Sequence, residues 1–133
     1  MSNSTQPEEI AGIICGHGTF AEGLISAVEQ ITGKGSILFG LSNRDFGAAD
    51  LESHMRTELA RTHAQVIFTD LPGGSATIAA RKVLRDTPGI VLVTGTNLGL
   101  LLDFVFHAQD GAAAAARQAA ERGRACITVS EAP

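Results

Sequence analysis

Four short apolar runs punctuate the chain: Ala11–Cys15, Ile37–Leu41, Gln65–Thr69 and Ile90–Thr94. None alternates polar with apolar residues. Each therefore predicts a strand buried on both faces, as in a parallel sheet covered by helices. Between the runs the apolar residues take up helical spacing. The first helix carries Phe20, Leu24, Ala27, Val28 and Ile31. Thr19 and Glu22 form a capping-box pair at its start, and Gly33 marks its end. The second helix carries Leu51, Met55 and Leu59 at spacing four. The third begins near Ser75, turns Ile78, Val83 and Leu84 inward, and stops before Pro88–Gly89. The fourth follows Asn97 and uses Leu98, Leu101, Leu102 and Val105. A fifth, from about Gly111 to Arg122, is mostly alanine, which suits a closely packed helix face. A short last strand, Ala125–Val129, is expected to close the chain, and residues 1–9 to form a frayed tail ahead of one domain over 10–133.

Strands that alternate with helices specify an α/β fold, a doubly wound and mainly parallel sheet. For the order 2-1-3-4 the strand order reverses between strands 1 and 3, and ligands bind beyond the carboxyl ends of the strands at that point. The loops that follow these two strands are Gly16-His17-Gly18-Thr19 and Asp70-Leu71-Pro72-Gly73-Gly74-Ser75. They bring together one histidine, one aspartate, one serine and four glycines, and both lead into helix N-termini.

That set of groups suits a phosphoryl group carried on an imidazole. A neutral ring nitrogen is a competent nucleophile near pH 7, since an unperturbed imidazole titrates at about 6.5. A carboxylate on the other nitrogen fixes the tautomer and stabilises the charge that grows on the ring. Glycines allow backbone N–H groups to approach phosphate oxygens, and a helix N-terminus favours the anion. A serine hydroxyl adds one donor. No metal is required if these donors carry the charge.

Composition narrows the field. The 133 residues are 44 % hydrophobic and 18 % charged, which fits one globular domain. A net charge of −4, with 6 Phe and neither Trp nor Tyr, argues against nucleic acid as a partner. No apolar run approaches the roughly 18 residues that cross a bilayer, and the polar, acidic start does not read as a signal peptide. Cys15 and Cys126 read as two buried, reduced thiols. A competing dinucleotide fingerprint, Gly16-x-Gly18-x-x-Ala21 with Asp45 downstream, is opposed by His17, which sits where a pyrophosphate would approach. Ser42 or Asn43 also occupies the place where that fingerprint needs an acidic residue. His54, His63 and His107 read as solvated or capping residues, and no pair has zinc-ligand spacing.

Three motifs make the chain similar to the enzyme IIA component of the mannose family of the bacterial phosphoenolpyruvate-dependent sugar phosphotransferase system. They are Gly16-His17-Gly18 with Ala21, Gly23 and Leu24; Thr69-Asp70 with Gly73-Gly74-Ser75; and Thr94-Gly95-Thr96-Asn97-Leu98 with Leu100-Leu101. The third resembles the N-acetylgalactosamine-type branch. The resemblance implies that His17 accepts a phosphoryl group from the carrier protein HPr and passes it to a IIB partner, for use by a membrane IIC/IID permease. It implies that Asp70 supports His17, that Gly18, Gly73, Gly74 and Ser75 hold phosphate oxygens, and that Phe20, Leu71 and Pro72 form a docking surface. It implies no cofactor, and a cytoplasmic protein, at most peripheral to the inner membrane through the permease. It also implies a homodimer in which the C-terminal strand joins the partner's sheet. Ala76 stands where many relatives have proline, and the absence of a following IIB segment suggests a separate IIA unit. Two other readings use the same histidine: a regulatory phosphoprotein, and the phosphotransfer subunit of dihydroxyacetone kinase. The Gly-Thr-Asn and Gly-Gly-Ser elements argue against the latter.

Overall fold

The computed structural model describes residues 9–42 and 47–133. Residues 1–8 of the expected tail, Asn43 and the acidic candidate Asp45 lie outside the described residues. Among the described residues four strands form: β1 (Gly12–Gly16), β2 (Leu38–Ser42), β3 (Val66–Thr69) and β4 (Val91–Val93). All neighbours are parallel, in the order β2-β1-β3-β4. The expected topology is the observed one, and β1 and β3 are the central pair.

Five α-helices among the described residues cover the sheet: α1 (Phe20–Thr32), α2 (Ala48–Thr62), α3 (Ser75–Arg85), α4 (Leu98–His107) and α5 (Ala112–Ala125). The period-two alternation of each strand sends residues to both sides. Ile14, Val66, Phe68 and Val93 join the core beneath α1, α4 and α5. Ile13, Cys15 and Ile67 join the core beneath α2 and α3. Both faces are buried, which is why the strands lack polar alternation. Phe68 and Phe104 meet edge to face at 4.8 Å between ring centroids. A Cβ on Gly12 would lie 2.6 Å from the Phe68 ring, so only glycine lets that ring lie against β1.

Several details differ from the sequence reading. Thr19 makes no side-chain cap bond, although Gly33 does end α1 in the left-handed conformation, with its N–H on Glu29 O. Ile31 is exposed. The inward stripe of α1 runs through Ala21, Leu24, Ile25 and Val28, and at 3.6 residues per turn Ile31 falls about 70° off its centre. Ile78 is likewise exposed, and Leu84 only half-buried. The buried face of α3 is Ala76, Thr77, Ala79, Ala80 and Val83, whose small side chains allow the helix to lie close on the sheet. On α4, Leu100 and Phe104 are buried together with Leu101 and Val105. The alanines of α5 do pack inward, at Ala112, Ala115, Ala116 and Ala119.

The expected last strand does not form within the chain. Ala125 is the final residue of α5, and residues 126–133 pair with no strand. Helix propensity and the backbone bonds from Cys126 N to Arg122 and Gly123 carry α5 past the expected boundary. Cys126 is consequently exposed, whereas Cys15 is buried as expected; both are free thiols.

Candidate active site

The turn after β1 and the turn after β3 meet at the carboxyl edge of the sheet. Asp70 Oδ2 accepts the backbone N–H of His17 at 2.9 Å and lies 2.7 Å from His17 Nδ1. One carboxylate oxygen thus fixes both the loop and the ring of His17. Gly16 makes this approach possible, because a Cβ there would lie 2.7 Å from the Phe20 ring and 3.0 Å from the Asp70 carboxyl. Ser42, at the end of β2, donates to Gly18 O at 3.1 Å and holds the other side of the loop.

Burial and hydrogen bonding act against each other on Asp70. Burial pushes its carboxyl upward. The backbone and ring hydrogen bonds from His17, with the attraction of a charged ring, outweigh it and hold the carboxyl below its ordinary value. Asp70 is therefore an anion at neutral pH. A carboxylate only accepts, so Nδ1 carries the proton that it receives. In the neutral ring the lone pair is then on Nε2. The His17 side chain is 58 % exposed and that of Asp70 10 %. The imidazole faces outward and the carboxylate beside it is covered.

The second loop lies against the same ring. A Cβ on Gly74 would sit 3.5 Å from His17 Cε1, and Gly74 holds φ +88° and ψ 172° immediately before Ser75 opens α3. This region is almost closed to residues with a side chain. The first turn of α3, with its N–H groups, therefore begins beside the imidazole. The loop is pinned from below: Thr77 Oγ1 donates to Leu71 O at 2.5 Å and lies 2.7 Å from Thr69 Oγ1. Sequence reasoning missed Ser42 and Thr77. The signal for Thr77 was available, since a threonine in the first turn of a helix reaches back to the preceding loop.

Leu71 and Pro72 are exposed beside the site, and Phe20 is half-buried against Gly16. Cys15 is two residues from His17, but burial first and Asp70 second push its thiol up to about 12, so it stays protonated. The site is an open surface. A cavity of about 620 Å³ opens instead at the amino ends of the strands, lined by residues such as Ile10, Lys34, Ile37 and Gln65. Among the described residues no three His, Cys, Asp or Glu side chains are grouped to hold a metal ion. No helix among them is long and apolar enough to cross a membrane.

A doubly wound sheet thus carries an exposed His–Asp pair at its switch point, beside a helix N-terminus. The family is given by comparison. Residues 11–121 match the family described as the PTS system fructose IIA component, EIIA-man, and the chain belongs to that family. It is a IIA component of a sugar phosphotransferase system, in which phosphoryl groups pass between proteins that include HPr and a IIB component.

Solved structures share the fold. The mannose/sorbose-specific IIA subunit of Enterococcus faecalis has a TM-score of 0.78 at 18 % identity, covering 95 % of this chain and 98 % of that one. A Klebsiella pneumoniae protein described as a phosphoenolpyruvate-dependent sugar phosphotransferase system permease has a TM-score of 0.77 at 26 % identity, covering 96 % of each. The IIA protein associated with the fucose utilization operon of Streptococcus pneumoniae has a TM-score of 0.76 at 19 % identity, covering 91 % and 93 %. No curated protein matches the sequence.

Proposed function

We propose that His17 is the phosphoryl carrier of this IIA component. The observation that carries the reading is the His17 Nδ1–Asp70 Oδ2 contact of 2.7 Å on an exposed ring, with Gly74 packed against that ring. Nε2 attacks the phosphorus of phosphohistidine on HPr. The N–P bond to HPr breaks as the new one forms, and the HPr imidazole leaves with its electron pair. Positive charge develops on the His17 ring, and Asp70 stabilises it through the Nδ1 proton. Gly18, Gly73, Gly74 and Ser75 hold the phosphoryl oxygens, with the α3 N-terminus as their electrostatic partner. The same steps in reverse deliver the group to a histidine of the IIB partner, and a membrane permease uses it on incoming sugar. Leu71, Pro72 and Phe20 form the docking surface for these partners. The protein works in the cytoplasm and needs no cofactor. The Thr94–Leu98 element supports the N-acetylgalactosamine-like branch, and neither the regulatory nor the dihydroxyacetone kinase reading is favoured by the family match.

We also propose a homodimer through residues 126–133. Ile127 and Val129 are 73 % and 86 % exposed and lie two apart, the spacing of one strand face. The short edge strand β4 has one unpaired side to receive such a segment.

The test of the carrier role is intact-mass spectrometry after incubation with phosphoenolpyruvate, enzyme I and HPr. The wild type is expected to gain one acid-labile phosphoryl group and His17→Ala none. A labelled His17→Ala protein would refute the assignment.

A further inference from the structure

Asp70 is only half accounted for by His17. Both donors from His17 fall on Oδ2. Oδ1 is buried, and among the described residues it has no hydrogen-bond partner. An ionised carboxylate offers about four lone-pair sites, and a buried oxygen of such a group needs a donor. The hydroxyl of Thr96 has the complementary deficit. It is buried and without a partner among the described residues, and the residue is 6 % exposed.

Topology brings their two segments together. Thr96 N donates to Thr69 O at 3.1 Å, which ties the segment after β4 to the residue before Asp70. Thr69 turns toward α3, where it meets Thr77. Counting in twos from Phe68, Asp70 turns to the other face, the one covered by α4. Thr96 lies on the segment that leads into α4, one residue before its cap Asn97. One orphan is an acceptor that carries charge. The other is a hydroxyl with a proton to give.

We propose that Thr96 is a positioning residue for Asp70, its hydroxyl serving as the donor to Oδ1, either directly on rotation about χ1 or across one water. It touches no reacting atom. A donor on Oδ1 fixes the plane of the carboxylate, and so keeps Oδ2 aligned with both the His17 N–H and Nδ1. This assigns a task to the Gly-Thr-Asn element, which phosphate binding and docking leave unused.

The consequence for rate rests on His17 being the carrier; the consequence for Asp70 does not. Thr96→Val keeps the shape and removes the donor. Carbon-13 NMR of the unphosphorylated protein is expected to show the Asp70 carboxyl titrating at higher pH in Thr96→Val and returning toward wild type in Thr96→Ser. Phosphoryl uptake from HPr is expected to slow on the order of tenfold in Thr96→Val, as for loss of one hydrogen bond to a charged group. On an Asp70→Asn background the valine substitution is expected to add no further slowing, because Thr96 acts through Asp70. Thr96→Ala gives the same directions and serves if the valine variant fails to fold. An unmoved Asp70 titration in a folded variant overturns the proposal, as does equal slowing on the Asp70→Asn background. If the wild type takes up no phosphoryl group, the carrier reading fails, and the Asp70 titration still decides the role of Thr96.

Discussion

At the scale of single residues, Asp70 links stability to pH. Its carboxyl is lowered in the folded protein despite its burial. A lowered carboxyl contributes stability that is present above its unfolded value of about 3.9 and is lost as the pH falls through the lower, folded value. His17→Ala removes the ring donor but keeps the backbone N–H that also binds Oδ2. The Asp70 carboxyl should then move upward, since burial is less opposed. Urea unfolding from pH 2 to 6 is expected to show wild type more stable than His17→Ala above about pH 4, with the gap closing as the pH falls below the folded value. A gap that stayed constant to pH 2 would mean that the pair contributes nothing through Asp70. His17 and Asp70 themselves were legible in the sequence, because each directly follows one of the two strands that flank the switch point. Their helpers were less so. Thr77 acts on the loop just before its own helix, a pattern local sequence does carry, whereas Ser42 acts on a carbonyl 24 residues away that nothing in its local sequence names.

At the scale of elements, one side chain ties the start of α4 to the end of α5. Asn97 Oδ1 accepts Leu100 N at 2.9 Å and caps α4, while its Nδ2 donates to Gly123 O at 3.0 Å near the end of α5. Gly99 and Gly123 allow this close approach, since a Cβ on Gly123 would lie 2.8 Å from Leu100 Cβ. Asn97→Ala removes a cap worth about 1 kcal/mol and leaves a half-buried carbonyl without its donor, at a further cost of about 1–2 kcal/mol. A loss of about 2–3 kcal/mol in urea unfolding is expected, and a loss below about 0.5 kcal/mol would show that the joint is held elsewhere. Asn97 was read from the sequence only as a helix start; its second bond spans 26 residues and is invisible to local pattern. The misread faces have a related cause. Ile78 and Ile31 were counted among the apolar positions of their helices, whereas the period of the alanines already pointed the other way on α3. Around Ala76, Ala79, Ala80 and Val83, burial follows period first, because a helix cannot turn one large residue in without turning its neighbours out.

At the scale of the whole molecule, strand order was legible because each buried run is separated from the next by a single helix, and right-handed crossovers leave few topologies open. The C-terminal segment was not, because the fate of a strand without a partner depends on a second chain, about which one sequence is silent. Among the described residues, every strand and helix is complete by Ala125. Residues 127–133 can therefore be removed without taking anything from either core. A protein ending at Cys126 is expected to keep the far-ultraviolet circular dichroism of the helices and to fold as a monomer. The full chain, if the proposed exchange is right, sediments as a dimer whose unfolding midpoint rises with concentration, as linkage to association requires. Replacing Ile127 and Val129 by serine should weaken the dimer in the same way, since those two side chains supply the apolar face that a partner would cover. The decisive result is sedimentation of the shortened chain. If it remains a dimer, the two copies meet through some other surface, and the exposed tail belongs to a different partner.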